Sequence, residues 1–526
     1  MYFLYYISHL AFIGSLAVMG LVLLRNSFRE PVRELSRRRY ALFLALKWGV
    51  LGVFFVLLSF QVFKHFGRSS QLAEVQAIYD SRDWLTERRF PKGGIYDRSG
   101  RNDRAIALSV NDGSGLFLRQ YPLSEASGHL AGYSDRSRGR SGIEAAFLPV
   151  LIGIESGHIE NWRKAVKSFI TSPLPYGNNV ILTIDSRLQD FCHNALGGRR
   201  GAVVVLDPFS GEVLSLVSSP GFSPAAAADD SLWGRLADEK EAAPFFNRAL
   251  QGRYAPGSVF KVLIAAAALE QGIDPEIRSG PEGFTPAGAG SPVHEHEFEE
   301  YSLKGIAWTG HGKLSMEKAL RKSSNVYFAA LSQQLGAESV VDMAENFGMN
   351  GNIEWNSAGE GLNIWFPTSV SEFPAAHRLN PEALAWSAIG QYKVLVTPLH
   401  MALMTAAIAN GGDLLKPSLE LGRYPKSVRK VMKEKTAREL RDMMRKVVEN
   451  GTGYRCKVPG LRIAGKTGTA ETGKGQPHSW FVSFAPYNKP RIVVAVVIEN
   501  GGYGGDAAAV TARKIYEAAK NYGYFK

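Results

Sequence analysis

The stretch Tyr254-Ala-Pro-Gly-Ser-Val-Phe-Lys261, followed at once by Val262-Leu-Ile-Ala-Ala-Ala-Ala-Leu269, decides the fold of this chain. Pro-Gly breaks regular structure, whereas the apolar, alanine-rich run behind it favours a buried helix. Ser258 is therefore expected at the mouth of that helix, with Lys261 on the same face one turn later. The helix N-terminus adds free backbone N–H groups and a positive dipole end, which suit an oxyanion.

A lysine on a helix this apolar is costly unless it is paired or loses its proton. A neutral amine beside a serine hydroxyl is a general base beside a nucleophile. The structural alternative is a helix-capping serine with a lysine that extends to solvent. Ser-x-x-Lys also occurs at Ser315/Lys318, on a polar amphipathic stretch, and at Ser427/Lys430, in a basic run. The motif alone is therefore a weak signal.

Two further motifs strengthen it. Ser323-Ser324-Asn325 gives Ser-x-Asn, and Lys466-Thr467-Gly468-Thr469 gives Lys-Thr-Gly. Their order and wide spacing match the penicillin-recognising serine enzymes, which include β-lactamases and penicillin-binding proteins. Ser-x-Asn recurs at Ser109-Val110-Asn111, to which we assign no function. Each motif alone is weak evidence, but the three motifs together are strong evidence for an enzyme of this class.

Composition limits the classes of function. The 526-residue chain carries a formal net charge of +12, much of it in Arg25–Arg39 and Arg423–Lys435. Neither basic run is interleaved with stacking aromatic residues, which argues against nucleic acid as a partner. Cys192 and Cys456 are the two cysteines, and the sequence leaves open whether they pair.

The N-terminal region predicts a membrane anchor. Residues 1–24 and 41–63 are apolar runs, each about long enough to span a bilayer core of roughly 30 Å. The arginine-rich loop 25–40 between them is expected in the cytoplasm by the positive-inside rule. The first run lacks a basic n-region and a clear cleavage site, so a retained helix is preferred over a signal peptide. The bulk of the chain then lies on the outer face of the cytoplasmic (inner) membrane.

The remainder divides into an extracytoplasmic pedestal, residues 64–178, and a domain of residues 179–526. Strands come first in the latter, helices in the middle and strands last, which indicates an α+β fold with a helical insert in a sheet built from both ends. The predicted strands are Val180–Asp185, Gly201–Asp207, Gly211–Val217, Leu461–Lys466, Ser479–Phe484 and Arg491–Ile498. The predicted helices are Ser186–Leu196, a block from about 315 to 412, and Thr511–Asn521.

From about residue 88 to its end, the chain resembles a class B penicillin-binding protein, a monofunctional peptidoglycan D,D-transpeptidase. Besides the three motifs, the resemblance rests on Gly94–Gly100, Ser141–Glu144, Asn247–Ala249, Ile389–Gln391, Thr397–Leu399 and Gly465–Glu471. Three positions depart from the family pattern: Gly93 replaces an arginine, Ser99 an asparagine, and Tyr392 a glycine. The resemblance is dense over the C-terminal domain and thinner over the pedestal.

The resemblance implies a transpeptidase fold of the serine β-lactamase type. It also implies peptidoglycan stem peptides ending in D-Ala-D-Ala as substrates, and β-lactams as inhibitors. Its implied partner is a polytopic glycosyltransferase of the shape, elongation, division and sporulation family. No cofactor is implied. Whether the protein serves elongation, division or sporulation is left open.

The resemblance also implies roles for individual side chains. Ser258 is the nucleophile, and Lys261 is the best candidate to take its proton, although the acylation base of this superfamily is disputed. Ser323 relays a proton to the leaving amine. Asn325 holds the stem amide and orients Lys261. Lys466 adds positive charge that helps to keep Lys261 neutral.

The substrate-binding group is Thr467, Gly468 and Thr469. The two threonine hydroxyls, with Lys466, are expected to bind the terminal carboxylate, and Gly468 lets the strand backbone approach the ligand. The oxyanion hole is expected from the backbone N–H groups of Ser258 and Thr469. No metal site is predicted. The run His294-Glu295-His296-Glu297 fails the zincin pattern and is expected to be a solvated loop, and His311 is expected to be structural.

Three other functions were weighed. A β-lactamase needs a base for deacylation, and Glu360-Gly361-Leu362-Asn363 falls one residue short of the Glu-x-x-Leu-Asn loop of class A enzymes. A D,D-carboxypeptidase shares the chemistry, and the sequence does not separate it from a transpeptidase. A catalytically idle scaffold of the division or elongation machinery is disfavoured by the intact motifs.

Overall fold

The computed structural model describes Trp48 and residues 91–153, 177–304, 306–473 and 475–525. The chain splits into two compact units, Met1–Ser81 and Arg82–Lys526. In the first unit, Trp48 is described as an exposed helical residue. The predicted membrane helices 1–24 and 41–63 and the basic loop 25–40 otherwise lie outside the described residues. Within the described part of the chain, every helix is too short or too polar to cross a membrane.

The described residues of the second unit form fifteen short strands and fifteen α-helices. Its strands are β1 Ile95–Tyr96, β2 Ala105–Asn111, β3 Phe117–Gln120, β4 Ser134–Asp135, β5 Gly139–Arg140, β6 Val180–Ile181, β7 Gly201–Leu206, β8 Val213–Ser219, β9 Ile277–Ser279, β10 Gly312–Leu314, β11 Asp413–Leu415, β12 Ser427–Lys430, β13 Ala464–Ala470, β14 His478–Ala485 and β15 Ile492–Ile498. Its helices are α1 Gly128–Ala131, α2 Gly142–Ala146, α3 Leu148–Leu151, α4 Ser186–Leu196, α5 Asp230–Asp238, α6 Lys261–Glu270, α7 His296–Leu303, α8 Met316–Lys322, α9 Asn325–Leu335, α10 Ala337–Asn346, α11 Gly361–Trp365, α12 Pro381–Ala388, α13 Pro398–Ala409, α14 Glu434–Asn450 and α15 Ala508–Asn521.

The main sheet has five antiparallel strands in the order β13-β14-β15-β7-β8. Every residue of Ile492–Ile498 is buried, because the sheet is covered on both faces. Side chains alternate along the strand: Val493 and Val497 face one hydrophobic core, and Val494 and Val496 face the other. Helix α13 packs on the first face and α15 on the second. The predicted sheet built from both ends of the domain is therefore confirmed.

Several predicted elements are confirmed, with shifted ends. Helix α4 has the predicted bounds, and β7 and β8 form the predicted hairpin. The predicted strand Val180–Asp185 is wrong beyond Ile181. Leu182 still donates its N–H to Tyr96 of β1, but the strand ends there, and the amide of Thr183 donates to Leu419. The predicted strand Leu461–Lys466 begins later and ends at Ala470, which places all of Lys466–Thr469 inside a strand.

A smaller sheet, ordered β3-β2-β1-β6, connects the two parts that the sequence predicts. Ile95 of β1 pairs in parallel with Val180 of β6, so backbone hydrogen bonds cross the predicted boundary at 178/179. The turn after β1 is fastened to the larger part as well. The buried Asp97 carboxylate accepts a hydrogen bond from the Ser186 hydroxyl at 2.8 Å, and Arg98 lies 3.2 Å from Glu212.

Cys192 and Cys456 are buried free thiols within one hydrophobic core. Burial raises the pKa of the Cys192 thiol to about 12. Both cysteines therefore behave as small apolar side chains.

Candidate active site

The segment that carries Ser258 is a 3-10 turn, Gly257–Phe260, which runs directly into α6. Ser258 is half-buried, whereas Lys261, the first residue of the helix, is fully buried. Gly257 adopts a φ of 55° and donates its N–H to Gly390 at 2.9 Å. A Cβ on Gly390 would lie 2.1 Å from the carbonyl oxygen of Gly257, so a glycine is required there. The prediction of a serine at the mouth of a buried helix is confirmed.

The chain before the turn is held by a buried ion pair. Arg248, of the Asn-Arg-Ala segment, donates to Glu499 at 2.7 Å, and the Tyr254 hydroxyl donates to the same carboxylate at 2.8 Å. Tyr254 also exchanges two backbone hydrogen bonds with Val396. Glu499 lies far away in the sequence, just after the last strand of the sheet, and nothing in its local sequence indicates this role.

The amine of Lys261 is held by the Ser-x-Asn segment. Its Nζ donates to the carbonyl oxygen of Ser323 at 2.5 Å and to Oδ1 of Asn325 at 2.7 Å. Burial lowers the pKa of Lys261 to about 7, and the charges of Glu295 and Glu297 partly oppose this effect. Much of Lys261 is therefore neutral at physiological pH, as a general base requires.

Lys466 approaches the same segment from the other side. Its Nζ donates to the Ser323 hydroxyl at 2.8 Å and to the Thr467 carbonyl at 2.9 Å. Burial lowers the pKa of Lys466 well below its usual range, and the positive charge of Lys261 lowers it further. Ser323 itself has a φ of 64°, a left-handed conformation that turns its carbonyl and hydroxyl towards different lysines.

The Lys-Thr-Gly segment lies on β13, an edge strand whose open side faces the nucleophile turn. A Cβ on Gly468 would lie 2.8 Å from the carbonyl oxygen of Pro256, and one on Gly257 would lie 2.3 Å from that of Thr469. Gly468 and Gly257 therefore let β13 and the nucleophile turn approach each other closely, besides the predicted close approach of a ligand to Gly468. The hydroxyls of Thr467 and Thr452 lie 2.7 Å apart, and Thr452 is a contact that the sequence did not indicate.

The expectation of a solvated loop at His294–Glu297 is wrong for Glu295, which is 2% exposed. Its carboxylate accepts hydrogen bonds from the hydroxyl of Ser324 and from the amide of Asn325. Donor atoms of Glu295, Glu297 and His311 lie within 4.8 Å of one another. Both oxygens of Glu295 accept hydrogen bonds from the Ser-x-Asn segment and Ser279, so this carboxylate supports the Ser-x-Asn segment.

The other candidate motifs remain outside the site. Lys318 is exposed on α8, and Ser427–Lys430 is an exposed strand. Ser109 and Asn111 lie on β2 of the small sheet. Glu360 is exposed, and the adjacent Gly361 packs against the backbone of Ala146 in α2, where an added Cβ would meet its carbonyl oxygen at 2.2 Å. Glu360 therefore belongs to the contact with the smaller part and not to the nucleophile.

Tyr392, which stands where the family has a glycine, adopts a φ of 59°. This left-handed conformation is unfavourable for a bulky residue and ordinary for glycine. Tyr392 therefore keeps the loop geometry that a glycine would give. Its half-exposed phenol lies next to Gln391.

Residues 201–517 match the family model of the penicillin binding protein transpeptidase domain. The peptidoglycan D,D-transpeptidase PbpA of Mycolicibacterium smegmatis is 32% identical over 451 residues, covering 80% of this chain and 87% of that protein. The peptidoglycan D,D-transpeptidase MrdA of Acinetobacter baumannii is 30% identical over 456 residues, which are 76% of this chain and 66% of MrdA.

A solved structure agrees with the sequence comparison. The penicillin G acyl-enzyme complex of penicillin-binding protein A from Mycobacterium tuberculosis superposes with a TM-score of 0.70 at 30% identity. The match covers 82% of this chain and 100% of that one.

Proposed function

The chain belongs to the class B penicillin-binding proteins, and from this premise we propose how its residues perform peptidoglycan D,D-transpeptidation. The fold is that of the transpeptidase domains of this family. The enzyme crosslinks stem peptides through an acyl-serine intermediate and is acylated by β-lactams. The proposal concerns which side chains carry out each step.

In the acylation step, the Ser258 hydroxyl attacks the carbonyl carbon of the penultimate D-Ala of a stem peptide. Its proton passes to the neutral amine of Lys261. The N–H groups of Ser258 and Thr469 stabilise the oxyanion. Ser323 gives its hydroxyl proton to the leaving nitrogen and takes up the proton held by Lys261, so the C–N bond breaks and terminal D-Ala departs. Lys466, hydrogen-bonded to the Ser323 hydroxyl at 2.8 Å, makes that hydroxyl a better proton donor.

In the second step, the amine of a neighbouring stem peptide attacks the ester carbonyl. The bond from that carbonyl to Ser258 breaks, an amide crosslink forms, and the serine recovers a proton. Before acylation, Thr467 and Thr469 bind the terminal carboxylate of the donor stem, with Lys466 beside them, and Gly468 keeps the strand close.

The observation that carries the proposal is the convergence of the three motifs on Ser323. Its carbonyl accepts from Lys261 and its hydroxyl accepts from Lys466. Segments more than 60 residues apart in the sequence thus place two buried amines around one Ser-x-Asn turn. Burying two lysines in this position costs free energy of folding, which favours a catalytic role over a structural one.

We further propose that residues 1–63 anchor the chain in the cytoplasmic membrane, with the loop 25–40 inside. Residues 64–178 then form the pedestal and 179–526 the catalytic part on the outer face. A polytopic glycosyltransferase that supplies glycan strands is the proposed partner, and the pedestal is the part of the chain nearest to it. The apolar runs and the arginine loop support this arrangement.

The test of the nucleophile is labelling of membranes with fluorescent penicillin. We expect covalent labelling to disappear in Ser258→Ala and to persist in Ser315→Ala and Ser427→Ala, the matched serines of the other Ser-x-x-Lys motifs. Labelled Ser258→Ala would refute the assignment. Incubation with a stem peptide and an acceptor amine separates the activities: a transpeptidase forms dimers, whereas a carboxypeptidase only releases D-Ala.

A further inference from the structure

Three hydrogen-bond donors converge on the buried carboxylate of Glu295. The Ser279 hydroxyl donates to Oε1 at 2.7 Å, and the Ser324 hydroxyl donates to the same oxygen. The backbone N–H of Asn325 donates to Oε2 at 2.6 Å. An ionised carboxylate only accepts hydrogen bonds, so this donor set matches the charged form.

These contacts link the Ser-x-Asn segment to the chain that precedes it. Ser279 ends β9, and Glu295 directly precedes α7. The side-chain amide of Asn325 also donates to the carbonyl oxygen of His294 at 3.1 Å. Asn325, which orients Lys261, is therefore held by hydrogen bonds from both its backbone and its side chain. Ser324 in turn caps α9 by accepting from the N–H of Tyr327 at 3.1 Å. Glu295 therefore fixes the start of α9, from which Asn325 reaches the lysine.

The charge of Glu295 also acts on Lys261. Of the charged neighbours of that amine, Glu295 has the largest effect that opposes burial, and Glu297 the next. Lys466 faces the site from β13, and the positive charge of Lys261 adds to the effect of burial in lowering the pKa of Lys466. His311 lies 3.6 Å from Glu297. The remaining neighbours of Lys261 on α9 are neutral.

We propose that Glu295 is a positioning residue for acylation, whose buried carboxylate holds Ser324 and Asn325 in place against Lys261. The proposal rests on the proposed function, in which Lys261 is the general base. It adds a residue outside the three motifs, and it gives that residue a measurable electrostatic signature.

Glu295→Gln separates the charge from the hydrogen bonds. The glutamine oxygen can accept from the Asn325 N–H, and its NH₂ group can donate to the two serine hydroxyls, which accept as well as donate. The fold of the segment is thus preserved while the negative charge is lost. Glu295→Ala, by contrast, leaves three buried donors without their acceptor.

The experiment measures the rate of penicillin acylation as a function of pH in full-length protein in membranes. Without the charge of Glu295, Lys261 loses its proton more readily, so the acid limb of the profile moves to lower pH. We expect the ratio of the rate at pH 6 to that at pH 8 to rise about two- to fivefold in Glu295→Gln. Glu297→Gln should give a smaller change in the same direction. Glu295→Ala should lower the rate at every pH.

Glu317→Gln is the matched control, because Glu317 is an exposed carboxylate on α8, the helix before the Ser-x-Asn segment. Its profile should match the wild type. A Glu295→Gln profile identical to the wild type would overturn the proposal, and so would an acid limb that moves to higher pH. If Glu295→Gln does not accumulate, an unchanged Glu297→Gln profile overturns the electrostatic part. Loss of labelling in Ser258→Ala tests the proposed function separately, so that either can fail alone.

Discussion

At the scale of single residues, the site is defined by two lysines that are fully buried, Lys261 and Lys466. Burial disfavours the ammonium form of both, and each is compensated by hydrogen bonds to Ser323. The proposed acylation needs a neutral amine at Lys261, and the burial that makes this amine neutral lowers the stability of the fold. Activity and stability are therefore expected to oppose each other at position 261.

The first prediction concerns Lys261→Met and stability. The pKa of Lys261 lies at about 7 in the folded protein, below its ordinary value of 10.5, so the unfolded chain binds more protons between these values. The cost of burying the lysine is thus full below about pH 7 and disappears as the pH rises towards 10.5. Lys261→Met should raise the free energy of unfolding at neutral pH by up to about 4 kcal/mol, less the loss of two hydrogen bonds.

Denaturant unfolding at a series of pH values measures this gain, which should shrink as the pH is raised. Penicillin acylation should be lost in the same variant. Lys318→Met is the control, since Lys318 is exposed and belongs to an unused Ser-x-x-Lys motif. A gain that grew with pH would show that Lys261 is charged in the folded protein.

At the scale of elements, the cleft depends on the close approach of an edge strand to a 3-10 turn. Strand β13 has β14 on one side and the turn Gly257–Phe260 on the other. Gly257 and Gly468 make this contact possible, because a Cβ on either would collide with backbone atoms of the other element. The oxyanion hole that we propose uses one N–H from each element, so its width depends on this spacing.

The second prediction concerns Gly468→Ala. The added methyl group would lie 2.8 Å from both the Pro256 oxygen and a methyl carbon of Val259, which forces strand and turn apart. Because a displacement of this kind misplaces the oxyanion donors, we expect the acylation rate to fall about tenfold or more. Stopped-flow measurement with a chromogenic β-lactam provides the rate.

Gly359→Ala is the matched control, because an added Cβ there meets no atom within 4 Å. It should leave the acylation rate unchanged. Wild-type acylation in Gly468→Ala, with normal protein abundance, would contradict the role that we give to the contact.

At the scale of the whole molecule, the larger unit combines the catalytic part with a smaller part that shares a sheet with it. The Asp97 turn and the β1–β6 pairing fasten the two together. All groups proposed for catalysis come from the larger part. We propose that the smaller part holds and places the catalytic part above a membrane.

The third prediction concerns topology. A cysteine at Arg33, in the basic loop, should be protected from a membrane-impermeant thiol reagent in intact cells, whereas one at Lys514, exposed on α15, should react. The two natural cysteines are buried, so the background should be low. Labelling of Arg33→Cys in intact cells, without permeabilisation, would refute the proposed anchor. Lysed cells should label at both positions.

The sequence by itself determined the elements whose signal is local. The apolar run after Pro-Gly predicts α6, two apolar runs that flank Pro208-Phe-Ser-Gly predict the β7–β8 hairpin, and the order of elements predicts the sheet. The motif residues Ser258, Lys261, Ser323, Asn325 and Lys466 could be identified because their chemistry requires fixed spacing within each motif. The contacts between one motif and another leave no such local pattern in the sequence.

Only the tertiary structure decided the long-range contacts. The sequence predicts Glu295 in a solvated loop, whereas it is buried and accepts a hydrogen bond from Asn325. Glu499 forms an ion pair with Arg248, 251 positions earlier in the chain. The Ser-x-x-Lys motifs at Ser315 and Ser427 resemble the motif at Ser258 in sequence. Their lysines are exposed in the folded protein, whereas Lys261 is buried. The physical reason is that burial and pKa depend on neighbours far away in the chain. A lysine becomes a base when the fold removes water from it and supplies acceptors, and spacing alone specifies neither.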